Sequence, residues 1–316
     1  MKALICGVGG QDGAYLAQLL LEKGYDVVGT SRDSNVSTFS NLQKLKIFDH
    51  VEIVSMAVND FRSVLYCFKQ HSPDEVYNLA GQSSVGLSFE QPVETMDSIS
   101  GATLNMLESI RFVDRDIRFY NAGSGECFGD TGNTSANELS QFRPRSPYAV
   151  AKATAHWLVA NYRESYSIYA CTGILFNHES PLRPNRFVTQ KIVQAAARIA
   201  QGRHEKLRLG NIAIQRDWGW APEYVEAMWR MLQADNADDY VVATGRTVSL
   251  EYFIKRVFAY YGLSWRDYVE IDHALYRPAD ILEGRANPAK AWNILGWRHK
   301  TDVDGVIANM CEAVNY

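Results

Sequence analysis

The feature that most constrains this chain stands at its start. A short apolar run, Lys2–Cys6, passes directly into Gly7-Val8-Gly9-Gly10-Gln11-Asp12-Gly13. The run reads as a strand, and residues 14–23, closed by Gly24, read as a helix. Between them, Gly7, Gly10 and Gly13 let the backbone turn through unusual dihedrals and approach a diphosphate closely. The helix start then offers unpaired N–H groups and a positive dipole end to that group. A glycine triplet alone is a common tight turn. At the head of a strand–helix–strand unit it predicts a dinucleotide site.

Short apolar runs continue at 26–29, 51–54, 75–79, 117–121 and 169–175, with helical segments near 101–112 and 147–165. This alternation predicts an α/β fold, a Rossmann-type doubly wound parallel sheet. After residue 176 the texture changes. Loops rich in Pro, Arg and Asn (177–186, and around Pro222 and Pro278) separate helices near 188–201, 223–233 and 250–261. The expected division is a dinucleotide-binding domain over 1–175, to which the chain returns around 210–245. A smaller, interleaved substrate-binding domain occupies most of 176–316.

The 316 residues, 47% apolar and 22% charged, are enough for a sizeable core without disulfides or metals. A net charge of -4 argues against bulk attraction to nucleic acid or an anionic membrane. Cys6, Cys67, Cys127, Cys171 and Cys311 are scattered with no Cys-x-x-Cys pair, which reads as reduced thiols and no zinc framework. No apolar stretch is long enough to span a bilayer and no leader-like run precedes the first strand, so the expected compartment is cytoplasmic.

The end of the second strand reports on the dinucleotide. An acidic residue there holds ribose hydroxyls in NAD, whereas Arg accommodates the extra phosphate of NADP. The chain reads Gly29-Thr30-Ser31-Arg32-Asp33. Arg32 comes first and points to NADP; Asp33 has the wrong sign for a phosphate and keeps NAD open, and a solvated loop charge is the alternative for either residue.

Two further patterns carry chemistry. Tyr148 and Lys152 stand four residues apart on one helical face. A phenol with an ordinary pKa of about 10 is a poor base at neutral pH, and a nearby ammonium that stabilises the phenolate corrects this. The alternative is a surface helix pair. Upstream, residues 119–129 end a strand whose carboxyl end faces the ligand crevice. Ser124 there can donate to an oxygen undergoing oxidation, and Glu126 can act as a second acid/base beside the tyrosine. The alternative for Glu126 is a loop carboxylate capping the next element.

Together these pieces resemble the extended short-chain dehydrogenase/reductase superfamily and, more narrowly, the GDP-mannose 4,6-dehydratases. Residues 7–23, 77–90, 144–152, 161–181, 187–192, 216–219, 243–245 and 277–280 carry the resemblance, over most of the chain. The runs Asn177-His178-Glu179-Ser180-Pro181 and Arg216-Asp217-Trp218-Gly219 are far more specific than the glycine loop. The resemblance implies catalysis by Ser124 (a Thr in the family), Glu126, Tyr148 and Lys152. Tyr148 removes the O4 proton as hydride leaves for NADP. Glu126 takes the C5 proton, water leaves from C6, and the hydride returns to C6, so the cofactor need not dissociate.

The resemblance further places Gly7, Gly10, Gln11, Asp12, Leu79, Ala80, Gln82, His178 and Arg183 against the cofactor. Ser83, Asn177, Lys191, Arg216 and Arg277 fall to a GDP-sugar. The alternatives are a satisfied loop histidine for His178 and a structural salt bridge to Asp217 for Arg216. A homodimer through two long helices, one carrying Tyr148, is implied, with a tetramer open. The chain departs from the family at Asp33, the loop 34–38, Met56-Ala57-Val58, Ser84, Gly86, Glu94, Leu182 and Pro184. These departures cluster around the cofactor and the tetramer loop, and they leave the sugar open between mannose and another, such as a GDP-linked heptose. A 4-keto-sugar reductase, a nucleotide-sugar epimerase and a non-catalytic nucleotide-binding protein are the competing readings.

Overall fold

The computed structural model describes residues 1–113 and 116–314. In chain order the strands are β1 (Lys2–Cys6), β2 (Asp26–Ser31), β3 (Glu52–Ser55), β4 (Glu75–Asn78), β5 (Arg118–Ala122) and β6 (Ala170–Leu175). They are followed by β7 (Asn177–Glu179), β8 (Leu207–Leu209), β9 (Gln215–Trp220), β10 (Tyr240–Val242), β11 (Thr247–Ser249) and β12 (Val269–Ile271). Seven of them form one sheet in the order β3-β2-β1-β4-β5-β6-β10. Every pairing in it is parallel. The winding reverses between β1 and β4, and in such sheets the crevice at the strands' carboxyl ends is where ligands bind.

The helices are α1 (Gln11–Glu22), α2 (Ser40–Lys44), α3 (Phe61–His71), α4 (Val85–Glu90), α5 (Pro92–Met96) and α6 (Ala102–Phe112). After them come α7 (Pro147–Tyr166), α8 (Val188–Ala200), α9 (Ala221–Gln233), α10 (Leu250–Tyr260), α11 (Ala289–Ile294) and α12 (Val303–Glu312). β1 is apolar along its length because both its faces are covered. Ala3 and Ile5 join the core under α1 and α9, whereas Leu4 and Cys6 join the core under α3, α6 and α7. α7 starts where it does because the Ser146 hydroxyl accepts from the Ala149 N–H at 3.1 Å and Pro147 needs no N–H partner in the first turn.

Past β6 the chain builds a second core, in which α8, α10 and α12 pack Ile192, Phe253, Val257 and Ile307 around Trp218 of β9. β9 lies between β7, its parallel neighbour, and the antiparallel β11. β8 and β12 pair in parallel beside it. The chain also returns to the large sheet, where β10 pairs with β6.

Four elements differ from the sequence expectations. The helix after the glycine loop begins at Gln11 rather than Ala14. α3 was not expected; it is capped by Asp60, whose carboxylate accepts from Arg62 N–H at 2.9 Å. The helix expected near 101–112 continues back into α5 through a π-helical turn, Asp97–Gly101. That turn sets the Ser98 hydroxyl 3.3 Å from the Gln82 N–H that donates to it. β7 forms inside the run 177–186, read as loop, because β9 supplies its hydrogen bonds.

Candidate active site

Gly7 has φ +84°, and a Cβ there would meet Ala80 N and Leu79 O at 3.0 Å, so only glycine lets the loop pass this close to the wall after β4. Gly13 is held equally tightly, against Gly7 and Val8. Gly10 is the N-cap of α1 and no side chain caps that helix. The first-turn N–H groups and the dipole end are therefore presented as a diphosphate cradle, and these residues fit a bound dinucleotide.

Gln11 and Asp12 tie this loop to the segment after β6. Gln11 Nε2 donates to Asp12 Oδ1 at 2.9 Å and to the His178 carbonyl at 3.3 Å, and Ser180 Oγ donates to Gln11 Oε1 at 2.8 Å. His178 Nε2 lies 2.9 Å from Asp12 Oδ2. Burial works against both charges, yet the His178 imidazole holds the Asp12 carboxyl down at about 2, and Asp12 lifts His178 above its ordinary value. His178 is thus a buried, ion-paired strand residue stacked on Tyr224 at 4.5 Å, not a loop histidine.

At the carboxyl end of β5, Ser124 caps a short 3₁₀ turn, its hydroxyl accepting from Glu126 N–H at 3.3 Å. The same turn aims Glu126 into a cleft of about 410 Å³ that is also lined by Tyr148 and Lys152 from α7. Lys152 Nζ donates to the Ala122 carbonyl at 2.7 Å and lies 5.9 Å from the centre of the Tyr148 ring. Burial depresses the Lys152 ammonium to about 8, against weaker support from Cys127 and Asp12. Burial pushes Tyr148 up, and the group that most opposes it is Ser124, through a hydrogen bond. The Lys152 ammonium thus rests on a backbone carbonyl with the Tyr148 ring beside it.

Opposite Glu126 lies Arg216 of β9. Its Nε is 3.7 Å from Glu126 Oε1 and its Nη2 is 3.9 Å from Asp280 Oδ1, with the arginine side chain 6% exposed. Arg216 therefore does not pair with Asp217. That carboxylate is buried on the other side, accepting from Thr244 N, Thr244 Oγ1 and Gly245 N at 3.0, 2.8 and 2.7 Å. Burial raises Asp217 to about 6 despite these bonds.

Asp12, Leu79, Ala80, Gln82, Ser83, Asn177, His178, Arg183, Lys191 and Arg277 line the same cleft. Arg183 stacks on Phe187 at 3.8 Å and pairs with Glu179 at 3.2 Å, whereas Lys191 Nζ donates to the Arg208 carbonyl at 2.9 Å. Gly7, Gly10, Gln11 and Gly13 are not part of that lining; the first two stand in the glycine loop and the other two in the first turn of α1. Arg32 stands apart from the cleft lining, paired with Glu94 at 3.0 Å. Sequence reasoning missed Asp280, although the run 277–280 was singled out, and it missed Arg186, which donates to Ser83 Oγ at 3.4 Å. No helix among the described residues is long and apolar enough to cross a membrane.

The family model described as GDP-mannose 4,6 dehydratase matches residues 4–310. GDP-mannose 4,6 dehydratase 1 of Arabidopsis thaliana is 44% identical over 320 residues, covering 98% of this chain and 88% of that protein. The GDP-mannose 4,6-dehydratase of Sinorhizobium fredii is 42% identical over 336 residues, covering 98% and 95%. Among solved structures, a Thermus thermophilus UDP-glucose 4-epimerase complex with NAD superposes with a TM-score of 0.86 at 24% identity, covering 100% of this chain and 99% of that one. RMD from Pseudomonas aeruginosa, complexed with NADPH, gives 0.81 at 20% identity, covering 99% and 98%. These two likenesses speak to the doubly wound fold alone.

Proposed function

The chain belongs to the GDP-mannose 4,6-dehydratase family, and from that premise we propose that it converts GDP-mannose, or a related GDP-sugar, to the GDP-4-keto-6-deoxy sugar. The observation that carries this reading is Glu126: a carboxylate held in the cleft by Arg216, on the same short turn as Ser124 and beside Tyr148. Oxidation at C4 alone needs no such group. Removal of a C5 proton does.

A nicotinamide dinucleotide held by Gly7, Gly10, Gln11, Asp12, Gly13, Leu79, Ala80, Gln82, His178 and Arg183 supplies the hydride acceptor at C4 and the hydride donor at C6. Tyr148 takes the O4 proton, with Ser124 holding the phenol and the O4 oxygen in line. Lys152 supplies the positive charge that stabilises the Tyr148 phenolate, the form that accepts the O4 proton. The 4-keto group acidifies C5–H, Glu126 accepts that proton and passes it to the departing C6 hydroxyl, which leaves as water, and solvent then reloads Glu126 with a proton. Glu126 returns a proton to C5 when the double bond is reduced. Arg216, Arg277 and Lys191 answer the diphosphate charge, and Asn177 and Ser83 hydrogen-bond the sugar nucleotide.

NADP is the cofactor this reading favours, on the strength of Arg32 as the first residue past β2, with NAD the alternative that Asp33 keeps open. Residues 1–175, with the return near 210–245, hold the dinucleotide, and 176–316 mainly hold the nucleotide sugar; residues 315 and 316 lie outside the described part. A homodimer forms through α6 and α7, which are joined by Tyr162 donating to Glu108 at 2.6 Å and leave Leu104, Val150 and Trp157 exposed. The expected compartment is the cytoplasm.

The test is incubation with GDP-mannose and related GDP-sugars without added cofactor. Loss of one water with a new 4-keto product is the expected result. No dehydration of any GDP-sugar, even with NADP or NAD supplied, overturns the reading.

A further inference from the structure

The Arg32–Glu94 pair spans the dinucleotide end of the sheet. Arg32 is the first residue beyond β2, and Glu94 belongs to α5, in the segment that follows β4. β2 and β4 are the two neighbours of β1, whose carboxyl end carries the glycine loop. The pair therefore bridges the strands on either side of that loop. α5 is itself anchored to the cleft wall, since Gln82 Nε2 donates to Thr95 Oγ1 at 3.3 Å one residue beyond Glu94.

The charges around this bridge are unbalanced. Arg32 is one cation against two carboxylates, Glu94 and Asp33. Asp33 is pinned in place, its Oδ1 accepting from Asn35 N–H at 2.9 Å. Glu94 takes Arg32 Nη2 at 3.0 Å, with the two side chains 45% and 74% exposed. An ion pair this exposed is weak, so a phosphate carrying nearly two negative charges can displace the carboxylate, but it must compete for the guanidinium and approach two like charges.

We propose that Glu94 is a specificity-determining residue for the dinucleotide: by occupying Arg32 it holds down the chain's preference for a 2′-phosphorylated cofactor over its unphosphorylated counterpart. This rests on the dinucleotide reading above and adds to it a residue that sets which dinucleotide is favoured.

The test is a pair of binding titrations on nucleotide-free full-length protein at low salt, one with NADP and one with NAD, followed by calorimetry. Glu94→Gln is expected to raise the NADP-over-NAD affinity ratio about two- to five-fold, the range of an exposed ion pair. NAD affinity in the same variant serves as the control for folding and stays within about two-fold, since NAD lacks the phosphate that competes for Arg32. In an Arg32→Gln background the ratio falls and Glu94→Gln no longer changes it. An unchanged ratio in Glu94→Gln, or an equal change with and without Arg32, overturns the proposal and leaves the dinucleotide reading standing. Failure of the unaltered protein to bind either nucleotide overturns both.

Discussion

At the inner end of the cleft, the side chain of Arg216 is 6% exposed and that of Glu126 17%, and the two face each other at 3.7 Å. Outside the cleft lining, past the end of β2, Arg32 and Glu94 form a shorter contact, 3.0 Å, with 74% and 45% of their side chains in solvent. The longer contact is the stronger constraint. Arg216, Glu126 and Asp280 are largely buried, with side chains 6%, 17% and 18% exposed, so each charge feels the others strongly and none is removed without leaving its partner stranded. The outer pair shares its charge with water and salt, and either member can leave at little cost. On the function proposed above, the chemistry that moves protons sits where the field is fixed, and discrimination between cofactors falls to groups that can be exchanged.

The largest expected contrast is in turnover. Tyr148→Phe removes the proton carrier and lowers product formation by on the order of 10³-fold, whereas Arg32→Gln at saturating dinucleotide changes it by less than about two-fold. Comparable losses from the two would break the distinction between the two regions. In urea unfolding, Arg216→Met is expected to cost about 3–5 kcal/mol because it strands two carboxylates, and Arg32→Gln to stay within about 0.5 kcal/mol.

The pH profile sharpens the inner end. Burial depresses Lys152 to about 8, so its ammonium is present below that pH and lost above it. kcat/KM should accordingly fall as pH rises through about 8, and Lys152→Arg, which keeps its charge, should lose that limb. A profile flat to pH 10 would mean that the ammonium is not needed. The smallest effect belongs to salt. Raising ionic strength from about 0.05 to 0.5 M should lower the NADP-over-NAD ratio while leaving the alkaline limb nearly in place, because screening reaches exposed charges first.

What the sequence made legible follows the same physical division. The glycine loop was readable because Gly7 and Gly13 answer a backbone requirement that no other residue meets. Tyr148 and Lys152 were readable because helix spacing alone puts them on one face. The Ser124–Glu126 turn followed from its place at the end of a strand. β7 was not readable, since three residues in a Pro- and Arg-rich run become a strand only once β9 lies beside them. Nor was the partner of Arg216, for the adjacent Asp217 points away to Thr244 and Gly245, while Glu126 and Asp280 come from 90 and 64 positions away in the chain. The Arg32–Glu94 pair joins exposed side chains 62 residues apart and leaves no periodicity to read.

The central claim is that Glu126 moves the C5 proton. Its most direct test is to run the reaction on GDP-mannose in deuterium oxide with the unaltered protein and with Glu126→Gln. The unaltered protein should release a 4-keto-6-deoxy product carrying one solvent deuterium, at C5. Glu126→Gln should still bind GDP-mannose but form product at least about 10³-fold more slowly. Turnover nearly intact in Glu126→Gln, or product without deuterium at C5, would contradict the account.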